Sequence, residues 1–176
     1  MINALNCGQL FCKNVMIVTS AFPISWVLVQ DLALGPAPVA ARHLNRLEAE
    51  GITAVLSLCS TEEKAAPEGL EQRFTCRRVV LPDHRSKSSL SIDQLEEALT
   101  ALAELRSQGP VFVHCVAAIE RSPLVCLAWL MREHGLSRQN ALDYLLQVHP
   151  GTSPSAAHLM LLSQLSPAAQ PALKIA

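Results

Sequence analysis

One short segment concentrates the groups that can do chemistry: Val111-Phe112-Val113-His114-Cys115-Val116-Ala117-Ala118-Ile119-Glu120-Arg121-Ser122-Pro123. A thiolate is a strong nucleophile, and a planar guanidinium matches two oxygens of a phosphate group. The Cys-x5-Arg spacing alone decides little, because Cys126 and Arg132 repeat it. Context separates the two matches. Cys126 lies inside an apolar run of helical character and reads as a core thiol with a surface arginine. Cys115 stands where a short apolar strand ends and where Ser122-Pro123 opens a helix, proline being favoured in a first helical turn. A strand, a tight loop and a helix N-terminus together make an anion site, with backbone N–H groups turned inward and positive potential from the helix. The same field favours a thiolate at Cys115. A low-pKa thiolate inside an oxyanion cradle is suited to attack on phosphorus.

The elements that must position this segment alternate along the chain. Trp26–Val29 and Leu32–Leu34 flank Gln30-Asp31 and predict a two-stranded start. Val39, His43, Leu44 and Leu47 recur at helical spacing before Gly51. Residues 52–58 and 74–81 read as strands, the first a continuous apolar run of the kind buried on both faces. Residues 61–72 read as a loop or frayed helix. Ser91 and Gln94 form a capping box ahead of a helix that ends at Gly109-Pro110. Val111–His114 is a short buried strand. Helices follow over Leu124–His134, from Ser137 to Val148, and from Ser153-Pro154 to about Leu165. The pattern predicts a single α/β domain with a mostly parallel central sheet flanked by helices. Its expected bounds are 26–165, with an N-terminal extension over 1–25 and a loose C-terminal tail over 166–176. Trp26 and Trp129 are expected in the core, and His43, His134 and His158 at surface or flanking positions. His149, before Pro150, reads as a helix-end residue and His84 as a solvated loop residue.

Composition narrows the class. The chain has 176 residues, half of them hydrophobic and 16% charged, with a net charge of -1. A core of this size fits one domain. The balance offers neither the basic stripe of a nucleic-acid binder nor a polybasic run for acidic lipids. No apolar stretch reaches the length of a membrane span. The run Val15–Val18 is too short for a signal peptide, and Met16 is an alternative start. The six cysteines show no paired metal-ligand spacing, and the six histidines form no metal set. They read as reduced thiols in a cytoplasmic protein, with neither metal nor cofactor expected.

His-Cys-x5-Arg-Ser-Pro resembles the signature loop of the cysteine-dependent protein tyrosine phosphatases, and the trailing proline resembles their dual-specificity branch. The resemblance spans roughly residues 26–165. It implies that Cys115 forms a phosphocysteine intermediate, that Arg121 binds the phosphoryl oxygens, and that Ser122 stabilises the leaving thiolate. His114 would support the loop, and the amides of Val116, Ala117, Ala118, Ile119, Glu120 and Arg121 would line the cradle. The family also needs an aspartic acid about thirty residues upstream as general acid, and Asp83, after Leu81-Pro82, stands thirty-two before Cys115. The implied substrate is a phosphorylated protein carrying phosphotyrosine, or phosphoserine and phosphothreonine as well.

One departure stands inside the loop. The family pattern has glycine where this chain has Ala118, so a backbone conformation easy only for glycine would be strained here, and Ala118→Gly is expected to raise turnover. Cys59, at the end of the first apolar strand, resembles the resolving cysteine of some relatives and is a candidate disulfide partner of Cys115. Three other readings stay open: a pseudophosphatase that only binds phosphorylated partners, a phosphoinositide or RNA 5′-phosphatase, and a rhodanese-type sulfur transferase.

Overall fold

The computed structural model describes residues 22–86 and 88–165. The tail over 166–176 and nearly all of the N-terminal extension lie outside the described residues. The chain runs β1 (Ser25–Leu28), β2 (Leu32–Pro36), α1 (Ala41–Ala49), β3 (Ala54–Ser57), α2 (Leu70–Arg73), β4 (Thr75–Arg78), α3 (Ile92–Arg106), β5 (Val111–Cys115), α4 (Arg121–His134), α5 (Arg138–Val148) and α6 (Ala156–Leu161), with a 3-10 turn at Leu162–Gln164. The sheet order is β1-β2-β5-β3-β4, antiparallel only between β1 and β2. The expected single α/β domain with a mostly parallel central sheet is therefore what the chain forms.

Side-chain alternation divides the core in two. Leu32 and Leu34 of β2, Ala54 and Leu56 of β3, and Val111 and Val113 of β5 face the larger cluster, filled by α3, α4 and α5. Ala33, Val55 and Phe112 face the smaller cluster beneath α1 and α2. Each strand thus loads both faces with apolar side chains, which is why these runs read as continuous rather than alternating. Phe112 has its place because Gly35 leaves space for it: a Cβ there would come within 2.8 Å of the ring. Strand β5 sits in the middle, paired on both sides, so the position of Cys115 at its end is over-determined.

The elements differ from their expected bounds at the edges of the sheet. Only Thr75–Arg78 of the 74–81 run keeps strand register with β3, although the Val79 and Leu81 amides still donate to the Ser57 and Leu58 carbonyls beyond it. The last helix starts after Ser155, whose hydroxyl caps it, rather than at Ser153-Pro154. Helix α4 begins at Arg121, so Pro123 is its third residue, still among the first-turn positions whose N–H has no helical partner. Trp26 is only half-buried on edge strand β1, where its indole N–H donates to Glu50. His43 and His158 are buried rather than superficial. His43 stacks on Phe22, with ring centroids 4.3 Å apart, and accepts the Val39 amide at Nδ1.

Candidate active site

Cys115 closes β5 at the carboxyl end of the parallel strands, where open α/β sheets place their ligands. Six residues later, at Arg121, the chain enters α4. The loop between them is held by its carbonyls. Val116 O accepts from the Ala37 amide at 3.2 Å and Ile119 O from the Ser153 amide at 2.8 Å. Cys115 O accepts from His114 Nδ1 at 3.2 Å, and Ala118 O from His149 Nε2 at 2.7 Å. In a trans peptide the N–H points opposite to the C=O. Fastening these four carbonyls outward therefore turns the amides of Val116, Ala117, Ile119 and Glu120 toward the inside of the loop. Ala118 itself has φ 58, the left-handed conformation that the expected glycine would adopt without strain.

The thiol is 3% exposed. Burial by itself raises its pKa, but the Ser122 hydroxyl and amide, the Arg121 charge and the Ala118 amide outweigh burial and hold it below the ordinary thiol value. Ser122 Oγ lies 3.5 Å from Cys115 Sγ. Cys59, Cys76 and Cys126 go the other way, all raised by burial, Cys76 to about 11. Cys59 is fully buried and near enough for the Cys115 thiolate to help raise its pKa, and both are free thiols.

His114 lies behind the loop, almost wholly buried. Burial pushes its pKa down to about 4, so the ring is neutral. Its Nδ1–H donates to the Cys115 carbonyl, which leaves Nε2 to accept the Ser57 hydroxyl at 2.8 Å.

Arg121 is 3% exposed and its guanidinium is fixed along one edge. Nη1 donates to Glu63 Oε2 at 3.0 Å, to Leu81 O at 3.1 Å and to Leu58 O at 3.3 Å, and Nη2 donates to Glu63 Oε1 at 2.8 Å. Of the five N–H groups, the Nε–H and one on Nη2 remain, and these form the side-on fork that fits two phosphate oxygens. Glu63 was missed in the sequence. Its carboxylate accepts the Ser60 amide at 3.0 Å while Ser60 Oγ accepts the Glu63 amide at 3.2 Å. The Ser-x-x-Glu signature of that turn was legible, but not its reach of fifty-eight residues to Arg121.

Asp83 comes to the same mouth from the loop after β4. It shares with Cys115, Arg121 and Ile119 a cavity of about 520 Å³. Its carboxylate accepts from Arg85 Nε at 2.9 Å, Nη2 at 2.8 Å and the Arg85 amide at 2.9 Å. Those bonds, chiefly the side-chain ones, hold its pKa below the usual carboxylate value. Next to it, His84 donates its backbone N–H to Glu120 Oε2 at 3.3 Å, with its Nδ1 3.1 Å from the same oxygen. His158 Nδ1 lies 3.3 Å from Glu120 Oε1. Glu120 thus ties the Asp83 loop to the Cys115 loop; His84 is exposed, as expected of a solvated loop residue, and also takes part in this tie. Among the described residues, no group of three or more His, Cys, Asp or Glu side chains is placed to hold a metal ion.

The fold and this geometry belong to a known class. Residues 32–167 match the family model "Dual specificity phosphatase, catalytic domain". The chain is a member of that family, a cysteine-dependent phosphatase domain of the dual-specificity type. It is 28% identical over 146 residues to Dual specificity protein phosphatase 1 of Arabidopsis thaliana, covering 82% of this chain and 70% of that one. With the human Dual specificity protein phosphatase 1 it shares 31% identity over 134 residues, 76% of this chain but only 35% of that protein. The chain therefore spans about a third of the length of its human relative. Among solved structures, Tk-PTP in the active form superposes with a TM-score of 0.69 at 26% identity, covering 81% of this chain and 95% of that one.

Proposed function

We propose that this protein hydrolyses phosphomonoesters on protein tyrosine, and on serine and threonine, through a phosphocysteine intermediate. The observation that supports it most is the thiol of Cys115, lowered in pKa and facing a ring of amides with the free edge of Arg121 beside it. The thiolate attacks phosphorus while the amides of residues 116–121 and the Arg121 fork bind the equatorial oxygens, where charge develops. Ser122 Oγ–H then stabilises the thiolate as it leaves.

Asp83 is the acid and then the base. Arg85 favours its charged form, which serves the second step, in which it takes a proton from the water that attacks the phosphocysteine. A bound phosphate dianion adds negative charge beside it, which raises its pKa toward the protonated form needed to donate to the departing oxygen. Within residues 115–121 the only acidic side chain is Glu120 and the only basic one Arg121. That balance favours a protein phosphomonoester over a polyanionic phosphoinositide or an RNA end. The intact set of Cys115, Arg121 and Asp83 favours turnover over phosphate binding alone, and the general acid fits a sulfur transferase poorly. We place the working domain at 26–165, without cofactor. Among the described residues no helix is long and apolar enough to cross a membrane. A nucleophilic thiol needs reducing surroundings, which supports a cytoplasmic location.

The test is hydrolysis of p-nitrophenyl phosphate, then of phosphotyrosine, phosphoserine and phosphothreonine peptides and of short-chain phosphoinositides. Turnover should favour the peptides and should fall about a hundredfold in Asp83→Ala. An enzyme indifferent to Asp83→Ala even with poor leaving groups would remove the assigned acid.

A further inference from the structure

His149, just past the C-terminal end of α5, reaches the Cys115 loop across thirty-one residues. Its Nε2 lies 2.7 Å from the Ala118 carbonyl oxygen and its Nδ1 lies 2.9 Å from Ser25 Oγ. A carbonyl only accepts, so Nε2 carries the hydrogen, and the Ser25 hydroxyl donates to Nδ1 and fixes that tautomer. Four residues further on, the Ser153 amide donates to the next loop carbonyl, that of Ile119, at 2.8 Å. Between them Thr152 donates to the His149 carbonyl twice, from its amide at 3.1 Å and from its hydroxyl at 2.8 Å. The turn between α5 and α6 is thereby closed on itself, with two donors aimed at two consecutive loop carbonyls.

Those carbonyls belong to the strained residue of the loop and to the residue after it. A residue with a Cβ is disfavoured at φ 58, and Ala118 is fully buried there. Left to itself it would relax from the left-handed to the right-handed region, where φ and ψ change sign together, and the change in ψ turns the peptide between Ala118 and Ile119. That rotation swings the Ala118 carbonyl toward the cradle and takes the Ile119 amide out of it, so an anion would meet an oxygen where it needs a donor.

We propose that His149 is a positioning residue. Its imidazole clasps the Ala118 carbonyl outward and so keeps the Ile119 amide facing the phosphoryl group, doing by a side-chain hydrogen bond what glycine does by conformational freedom. The proposal deepens the phosphatase reading and rests on it for turnover; oxyanion binding and thiol reactivity report on the clasp without any turnover. One consequence is that the gain from Ala118→Gly is small while His149 is present and large when it is absent.

The experiment is a double-mutant cycle on the full chain: wild type, Ala118→Gly, His149→Ala and the double variant, with His149→Gln as the conservative variant. Each is measured for orthovanadate affinity, for the rate of Cys115 alkylation by iodoacetamide, for kcat and KM, and for urea stability. His149→Ala should weaken vanadate binding and lower kcat/KM by about threefold to tenfold, the range of one hydrogen bond. His149→Gln, whose amide donor stands near the position of Nε2, should recover most of that loss. Ala118→Gly should raise kcat/KM of the wild type by a smaller factor than it raises that of the His149→Ala protein, which it should restore; that is the non-additivity expected of coupled residues. If His149→Ala loses urea stability but keeps vanadate affinity and alkylation rate, or if the two substitutions simply add, His149 is structural only and the proposal fails. Should His149→Ala not fold, Ser25→Ala leaves the ring in place and frees its tautomer; it should shift vanadate affinity in the same direction by less, and no shift would overturn the clasp. A wild type that binds vanadate but turns over no phosphomonoester would sink the hydrolase reading and leave the clasp standing.

Discussion

Cys115 and Cys126 each stand six residues before an arginine, and both thiols are buried. Their surroundings push them in opposite directions. Cys115 lies just before the first turn of α4, where backbone N–H groups have no helical partner and can turn to a thiolate. Cys126 lies mid-helix among apolar side chains, where the amides are already bonded to carbonyls one turn back, so burial acts unopposed and raises its pKa. The arginines diverge in the same way. Arg121 leaves the helix start, is gripped along one edge by Glu63 and keeps the other edge free. Arg132, expected at the surface, is instead largely buried between α4 and α3, where it pairs with Glu96. The same spacing makes a site only where the backbone has donors to spare.

The largest expected effect contrasts the two thiols directly. Cys115→Ser should lower p-nitrophenyl phosphate turnover by at least about a thousandfold, because no other group replaces the nucleophile. Cys126→Ala should keep kcat/KM within about twofold and cost about 1 kcal/mol of stability, read from urea unfolding, for the small cavity it leaves. An inactive but stable Cys126→Ala protein would break the comparison.

The arginines come next. Arg121→Lys replaces a planar fork by a point charge and should lower kcat/KM about a hundredfold, with a parallel loss of vanadate affinity. Arg132→Lys should leave both nearly unchanged. Glu63→Gln sharpens the contrast: it keeps the shape of the carboxylate but weakens its grip on Arg121. A loss of about tenfold is expected, intermediate between the other two. Equal losses in Arg121→Lys and Arg132→Lys would show that the pairing with Glu63 does not single out the first.

Much of this contrast was legible in the sequence, and the reasons for what was not are physical. Apolar runs, capping signals and the Ser-Pro after Arg121 are local, and they placed β5, the loop and α4 in the right order. The central strands follow from such local signals because both their faces are buried. Edge strand β4 is mostly unburied, so its apolar flanks Phe74, Val79 and Leu81 misled the boundaries. Glu63 and His149 could not be found because each acts across the fold, through a turn and a helix end whose directions are set by tertiary packing. His149 and His158 also show that a histidine's neighbours in sequence do not reveal which carbonyl or carboxylate its ring meets.

The smallest effect separates the segments by acid. His114 is held neutral by burial, with a pKa of about 4 against 6.5 for an exposed ring. Between those values the unfolded chain binds the proton and the folded one does not, so stability falls as pH drops from 6.5 toward 4. The full shift corresponds to on the order of 3 kcal/mol. Cys126 stays protonated throughout this range and contributes nothing to the slope. Buried His43 and His158 act in the same direction as His114, and carboxylates with lowered pKa, such as Asp83 and Glu63, add their own loss at the acid end. A variant rather than the bare profile must therefore isolate the His114 share. His114→Asn keeps a donor near the position of Nδ1 for the Cys115 carbonyl but cannot titrate. The wild type should lose more urea stability between pH 7 and pH 5 than this variant does. Parallel profiles would mean that the ring is not held neutral behind the loop, and that the acid sensitivity of the fold arises elsewhere.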